Sequence, residues 1–287
     1  DFQCTVMYTE NMSGFLNGKL NHLIEKIERG ELMVGYSVTG RVKSVKQPWG
    51  GYIRPKQFSV TTIGEGQEGL SPYESVHASL MGMAVDYLTR FMLGAKAEDA
   101  FTISMKGALI IRESRKAEKL LAKIRGLDDE SITCAIKLAG YDVCYRSSPL
   151  AYKSVDWILV DKSTIGNVRI MVERSLKFVE EYGPIILEGF TFEGGYTDIV
   201  QAGDGDFITE DTLWDFKVTS ASITTRHTLQ LLMYWRMGLR SVHPEFEKIE
   251  YLGIYNPRLN RVYRLFVKDV PEEVIHTVER DIIGYAD

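Results

Sequence analysis

The 287-residue chain reads as an α/β protein, a mixed central β-sheet flanked by helices, with a helical and β elaboration in the N-terminal half. Three observations predict this. After residue 184, short β-rich runs bounded by Gly, Asn and Pro alternate with segments whose apolar residues recur at helical spacing. Residues 71–146 carry helical stripes almost throughout. With 45% apolar and 25% charged residues the chain can bury a sizeable core, and no apolar run approaches the length of a membrane span.

In chain order, Leu20, Leu23, Ile24 and Ile27 recur at helical spacing before Gly30, which predicts a helix over 19–29. Met33 to Val45 reads as β-rich and leads into Gln47-Pro48-Trp49-Gly50-Gly51-Tyr52, a loop. Ser71-Pro72-Tyr73-Glu74 has the form of a capping box opening a helix. Its stripe is Val76, Leu80, Ala84, Tyr87, Leu88 and Phe91, and Gly94 closes it. Helices are expected at 97–110, 114–125, 129–139 and 163–182, the last ended by Gly183-Pro184. Strands follow at 185–190, 196–201 and 212–218, with Ala202 to Asp206 read as a turn. A helix over 224–238, strands at 248–255 and 261–267 and a helix from Pro271 complete the order. No linker or repeat divides the chain, so a single domain is expected: a core from 73–93 and 185–287, an N-terminal elaboration over 1–70 and a helical insertion over 95–183.

Composition narrows the function. A net charge of −5 disfavours bulk attraction to nucleic acid, so any such partner must be held by local surface. Cys4, Cys134 and Cys144 form neither an even disulfide set nor a C-x-x-C pair, and no basic, apolar leader opens the sequence; reduced thiols in a soluble cytoplasmic protein are expected. From Phe15 to Val60, however, eight Lys and Arg stand against three Asp and Glu. Trp49 and Tyr52 lie there among Lys43, Lys46, Arg54 and Lys56, a mixture suited to phosphate contact and base stacking, although a solvated hairpin has the same composition. The basic helix 114–125, with Arg115, Lys116, Lys119 and Lys123, is the other candidate surface; a solvated face reads the same way.

The chemistry-bearing stretch is Tyr196-Thr197-Asp198 followed by Trp214-Asp215-Phe216-Lys217. On a strand Asp215 and Lys217 project from one face and Trp214 and Phe216 from the other, and Asp198 reaches the first face if its hairpin is in register. Paired carboxylates are the hard ligands Mg²⁺ prefers, and an amine beside them supplies charge for water or phosphate. A D-x-K strand alone carries little weight. Gln230 and Tyr234, four residues apart on one helical face, add to it.

Glu188-Gly189-Phe190, Gly195-Tyr196-Thr197-Asp198, Trp214-Asp215-Phe216-Lys217-Val218-Thr219 and Gln230 to Tyr234 together resemble the PD-(D/E)xK nuclease superfamily, in particular its RecB-like and lambda-exonuclease-like branch. The resemblance covers 185–240, with 73–93 in weaker support; the interval between the two acidic strands is longer than the family's usual one. It implies a restriction-endonuclease-like core and a Mg²⁺-dependent deoxyribonuclease, Mn²⁺ substituting, of the exonuclease kind used in recombination or repair and carried by phages or mobile elements. Asp198, Asp215 and the Phe216 carbonyl would hold the metal. Lys217 would position or activate the attacking water, and Gln230 with Tyr234 would fix the phosphate, the lysine or the end of the strand. Gly82-Met83-Ala84-Val85-Asp86 matches the setting of the branch's upstream ligand, with Asp86 in place of His. Glu188 and His227 are accessory candidates. Three scattered cysteines argue against the branch's iron–sulfur cluster, and no Walker A motif is present, so a helicase or single-strand annealing partner would be a separate chain acting on the same DNA. Two rivals stay open: an inactive nucleic-acid-binding module of this fold, and a structural α/β protein with a coincidental D-x-K strand.

Overall fold

The computed structural model describes residues 35–64 and 69–286, so the helix expected over 19–29 lies outside the described residues. The elements are β1 (Tyr36–Ser37), α1 (Val38–Ser44), β2 (Ser59–Thr62), α2 (Ala78–Met92), α3 (Ala97–Ala100), α4 (Thr102–Ile110), α5 (Ser114–Leu121), α6 (Asp129–Ala139), α7 (Asp142–Arg146) and α8 (Lys162–Tyr182). They continue as β3 (Leu187–Thr191), β4 (Val200–Ala202), β5 (Asp204–Ile208), β6 (Thr212–Phe216), α9 (Thr225–Gly238), β7 (Tyr251–Asn256), β8 (Arg261–Phe266) and α10 (Glu272–Thr277). The protein is α/β, and its mixed six-stranded sheet runs in the order β2-β8-β7-β6-β5-β3. Strands β6 and β7 are parallel, joined through α9, and every other pairing in that sheet is antiparallel.

The central strand β6 is buried on both faces. On one side Trp214 meets Phe178 of α8 edge-on at 4.7 Å between ring centroids, and Phe178 stacks on Tyr255 of β7 at 4.1 Å. On the other side Leu213 and Ile254 join a core with Leu229, Leu232 and Met233 of α9 and with Val38 and Val42 of α1. A second core belongs to the helical layer, where α2, α6 and α8 bury Met81, Leu88, Ile132, Leu138, Val168 and Met171. The N-terminal half of α8 belongs to this helical core, while its Phe178 belongs to the aromatic cluster with Trp214 and Tyr255.

Four local expectations are corrected. The stretch read as β up to Val45 is two strand residues and then a helix, because the Ser37 hydroxyl accepts the Gly40 N–H at 3.1 Å and caps α1. Glu74 does not cap a helix: it receives both ends of Arg258 at 2.8 and 3.1 Å, and α2 begins only after His77, whose ring nitrogen accepts the Ser79 N–H. Residues 142–146 form a further helix, α7. Most consequential, 204–206 is strand rather than turn. Gly205 sits in β5 opposite Phe190, whose ring covers it; a Cβ there would lie 2.3 Å from Phe190 Cε2. A glycine that makes room for an aromatic ring looks like a turn residue in sequence.

Gly205→Ala should therefore push the Phe190 ring out of its site and destabilise the protein by about 1–3 kcal/mol, measured as a lowered denaturant midpoint. Phe190→Leu in the same chain should restore part of the loss. An alanine variant as stable as the parent would mean that the close approach is not structural.

Candidate active site

Asp206 and Asp215 meet where β5 and β6 run together. The ladder pairs Phe207 with Trp214 and Ile208 with Leu213, and the same antiparallel register sets Asp206 opposite Asp215. Phe207 and Trp214 turn toward α8, so the two aspartates share the other face. Asp215 is 1% exposed and takes the Lys217 ammonium on Oδ1 at 2.7 Å; its Oδ2 is buried without a partner. Asp206 accepts the Phe216 N–H on Oδ2 at 2.6 Å and keeps an accessible side toward a cavity.

The electrostatics follow from this crowding. Lost hydration, and then the neighbouring Asp215 carboxylate, raise the Asp206 carboxyl above the usual range, against the pull of Lys217. Burial works against the Lys217 charge, but Asp215 and Asp206 more than offset it and hold the ammonium above the ordinary lysine value. Lys217 is thus a fixed cation at neutral pH.

The cavity, of about 480 Å³, lies between the sheet edge and the helical layer. Asp206, Asp204 and Phe216 line it from the sheet, Asp86 and Arg90 from α2, and Arg146 from α7. Adjoining cavities of about 380 and 360 Å³ share its walls near Gly82 and near Leu93. Together they form a trough along α2, about 22 Å long for its fifteen residues. Asp86 faces Asp206 across this trough closely enough to raise its proton affinity, and is itself bound to Arg90 at 2.6 Å. Glu188, on β3, lines the cavity beside Gly189 and acts on Arg90. Among the described residues no three His, Cys, Asp or Glu side chains converge closely enough to form a metal cage. Arg90 and Lys217 each engage one of the carboxylates concerned.

Gln230 and Tyr234 share one face of α9, as their spacing predicts, and bond to each other, Gln230 Nε2 donating to the Tyr234 hydroxyl at 2.8 Å. Burial and then the charges of Asp215 and Asp206 raise the Tyr234 hydroxyl well beyond its usual range, which keeps it a neutral donor beneath the carboxylates. His227 is a capping residue: its Nδ1 accepts the Thr224 N–H at 3.2 Å, and burial lowers its proton affinity.

Lys43, Lys46, Trp49, Arg54 and Lys56 are all exposed, Trp49 by 91%, with the Arg54 guanidinium 5.9 Å from its ring centroid. They do not form a hairpin. Lys43 belongs to α1, and the loop after it is fastened to the first turn of α9, where Gln47 Nε2 donates to the Thr225 carbonyl at 3.1 Å and Thr228 Oγ1 to that of Ile53 at 2.7 Å. By contrast, Lys116 of α5 is spent on Asp156, and Lys123, two residues past the end of α5, on Glu130.

Asp198 is the expected ligand that the fold does not bring in. It is exposed on a bend before β4, and β4 leaves the main sheet to pair with β1. The residue that occupies the expected position is Asp206, and the longer acidic interval noted in the sequence was its signal: nine positions separate Asp206 from Asp215. Arg146 and Asp204 also line the site without a sequence motif to mark them. No family model matches the chain, and no curated protein or solved structure matches it.

A pH effect follows. The folded protein holds the Asp206 proton more tightly than the unfolded chain, whose carboxyl ionises near pH ~4. Below that value both states are protonated and the stability is fully present; it is lost as pH rises toward the raised folded value. In chelator, Asp206→Asn should remove this loss, giving a higher Tm than the parent at neutral pH and a flatter Tm profile above pH ~4. Thermal melts across that window decide it; equally steep profiles would contradict the assignment.

Proposed function

We propose that the protein is a metal-dependent deoxyribonuclease with a restriction-endonuclease-like core, hydrolysing DNA phosphodiesters as an exonuclease in recombination or repair. The observation that carries the reading is the pair Asp206 and Asp215 on facing strand positions, with Lys217 on one oxygen of Asp215 and the other oxygen buried and unpartnered. A buried carboxylate oxygen without a donor is costly unless a cation completes it.

The donor set fits Mg²⁺ or Mn²⁺, which take few protein oxygens and keep water in the remaining positions. Asp206, Asp215 and the Phe216 carbonyl would hold the ion, with Asp86 joining once released from Arg90. A bound ion would supply Lewis-acid charge at the phosphate and lower the pKa of a coordinated water. The chain's own residues do the rest. Lys217 holds a positive charge beside Asp215 and orients the attacking water or a non-bridging phosphate oxygen. Gln230 and Tyr234 brace the floor under the two carboxylates, so that their spacing survives substrate entry. The loop bearing Trp49, Arg54 and Lys56 offers a stacking ring and phosphate-binding cations at the α9 end of the site.

The test is digestion of linear and circular DNA with Mg²⁺ or with chelator. The wild type should cut only with metal. Lys217→Gln, Asp215→Asn and Asp206→Asn should each lose at least about 10²-fold in rate, while Asp198→Asn should stay within about threefold. Equal cutting in chelator, or an Asp198 variant as impaired as the Asp206 one, would overturn the assignment. Linear DNA cut well ahead of circles is the result expected of an exonuclease.

A further inference from the structure

Arg146 stands at the junction of the two cavities nearest the carboxylates, lining both together with Asp86, Asp206 and Phe216. It is held from behind. Asp142, 1% exposed inside the helical layer, accepts the Tyr87 hydroxyl on Oδ2, the Ser104 hydroxyl on Oδ1 at 2.6 Å, and Arg146 Nε at 3.3 Å. Arg146 Nη2 also donates to the Tyr87 oxygen at 3.3 Å. The guanidinium plane is therefore fixed by residues of both α2 and α7, while its side chain stays 48% exposed.

Of the five guanidinium N–H donors, these two contacts use two and leave three for a ligand. The other cations near the carboxylates are committed, Arg90 to Asp86 and Lys217 to Asp215. A phosphodiester entering a trough that presents Asp86, Glu188, Asp204 and Asp206 needs a fixed cation to hold it, and a planar fork with free donors matches two phosphate oxygens.

We infer that Arg146 is a phosphate-gripping residue of the trough: it takes two oxygens of a phosphodiester next to the one over Asp206, and so sets which bond of the strand is presented for cleavage. This rests on the nuclease reading and adds a substrate-positioning residue to it, supplied by the helical insertion.

Removing Arg146 alone would strand the buried Asp142 charge, so the variant of choice is the double change Asp142→Asn with Arg146→Gln, which removes both charges together. A fluorescein-labelled oligothymidylate is titrated across a range of salt in Ca²⁺, and hydrolysis is followed in Mg²⁺. The double variant should bind roughly 10- to 100-fold more weakly, and its salt slope should fall by about 0.7, the share of one single-strand phosphate contact. KM should rise with kcat changed by less than about threefold, the split expected when ground-state and transition-state binding are lost together. Arg146→Lys, which keeps the charge but not the fork, should retain the slope and lose part of the affinity; it also serves as the test if the double variant does not fold. A merely structural Arg146 would lower Tm and leave slope and affinity unchanged. That result, in a protein whose wild type binds and cuts DNA, overturns this inference alone. A wild type that binds no oligonucleotide overturns it together with the nuclease reading.

Discussion

Asp206 and Asp215 face each other on adjoining strands and cannot move apart, because their chain neighbours Phe207 and Trp214 are locked into the aromatic layer under α8. Two ionised carboxylates on facing strand positions repel each other, and more strongly where water is excluded. The surroundings are organised around that cost. Lys217 neutralises one partner, the Phe216 N–H supports the other, and lost hydration, with the Asp215 charge after it, makes Asp206 bind its proton more tightly. The parallel β6 and β7 pairing then makes the arrangement rigid, since Lys217 continues the ladder by donating its N–H to the Tyr255 carbonyl at 2.9 Å.

The helical layer supplies the opposite wall and is fastened to the sheet at several points. Glu74 binds Arg258 in the β7–β8 turn, and Asn167 of α8 donates to Glu74 at 2.8 Å, so the entrance to α2 is tied to both layers. Asp86 is thereby held across the trough from Asp206. Behind it, the Tyr87–Asp142–Ser104 cluster keeps a buried negative charge within the helical core and orients Arg146 toward the same space. Buried polar networks of this kind add orientation rather than stability.

Much of this was legible in the chain. The D-x-K strand and the shared face of Gln230 and Tyr234 follow from period-two or helical spacing and are seen in the fold, while Asp86, singled out through the resemblance, lines the cavity with Asp206. The residue that stands opposite Asp215 was not legible: it is Asp206, while Asp198 lies on an exposed bend. Asp204-Gly205-Asp206 has the composition of a turn, and its pairing with β3, where Phe190 lies over Gly205, makes it a strand; that contact joins residues fifteen apart and leaves no local signal. Asp198 stood in a better local match to the motif, but β4 is drawn away to β1. Arg146 was invisible for a related reason: α7 is five residues long, and its role comes from Tyr87 and Ser104, far away in sequence. The loop around Trp49 was read correctly as exposed, while its attachment to α9 depends on Gln47 and Thr228, which no periodicity exposes.

In the proposed metal site Asp206, rather than Asp198, completes the carboxylate pair with Asp215. Calorimetric titration of Mn²⁺ into the wild type and into Asp206→Asn and Asp198→Asn tests it directly, without needing a substrate. Asp198→Asn should keep wild-type affinity and Asp206→Asn should lose at least about tenfold, as a neutral amide replaces an anionic ligand. Wild-type Mn²⁺ affinity in Asp206→Asn, or a loss confined to Asp198→Asn, would contradict it.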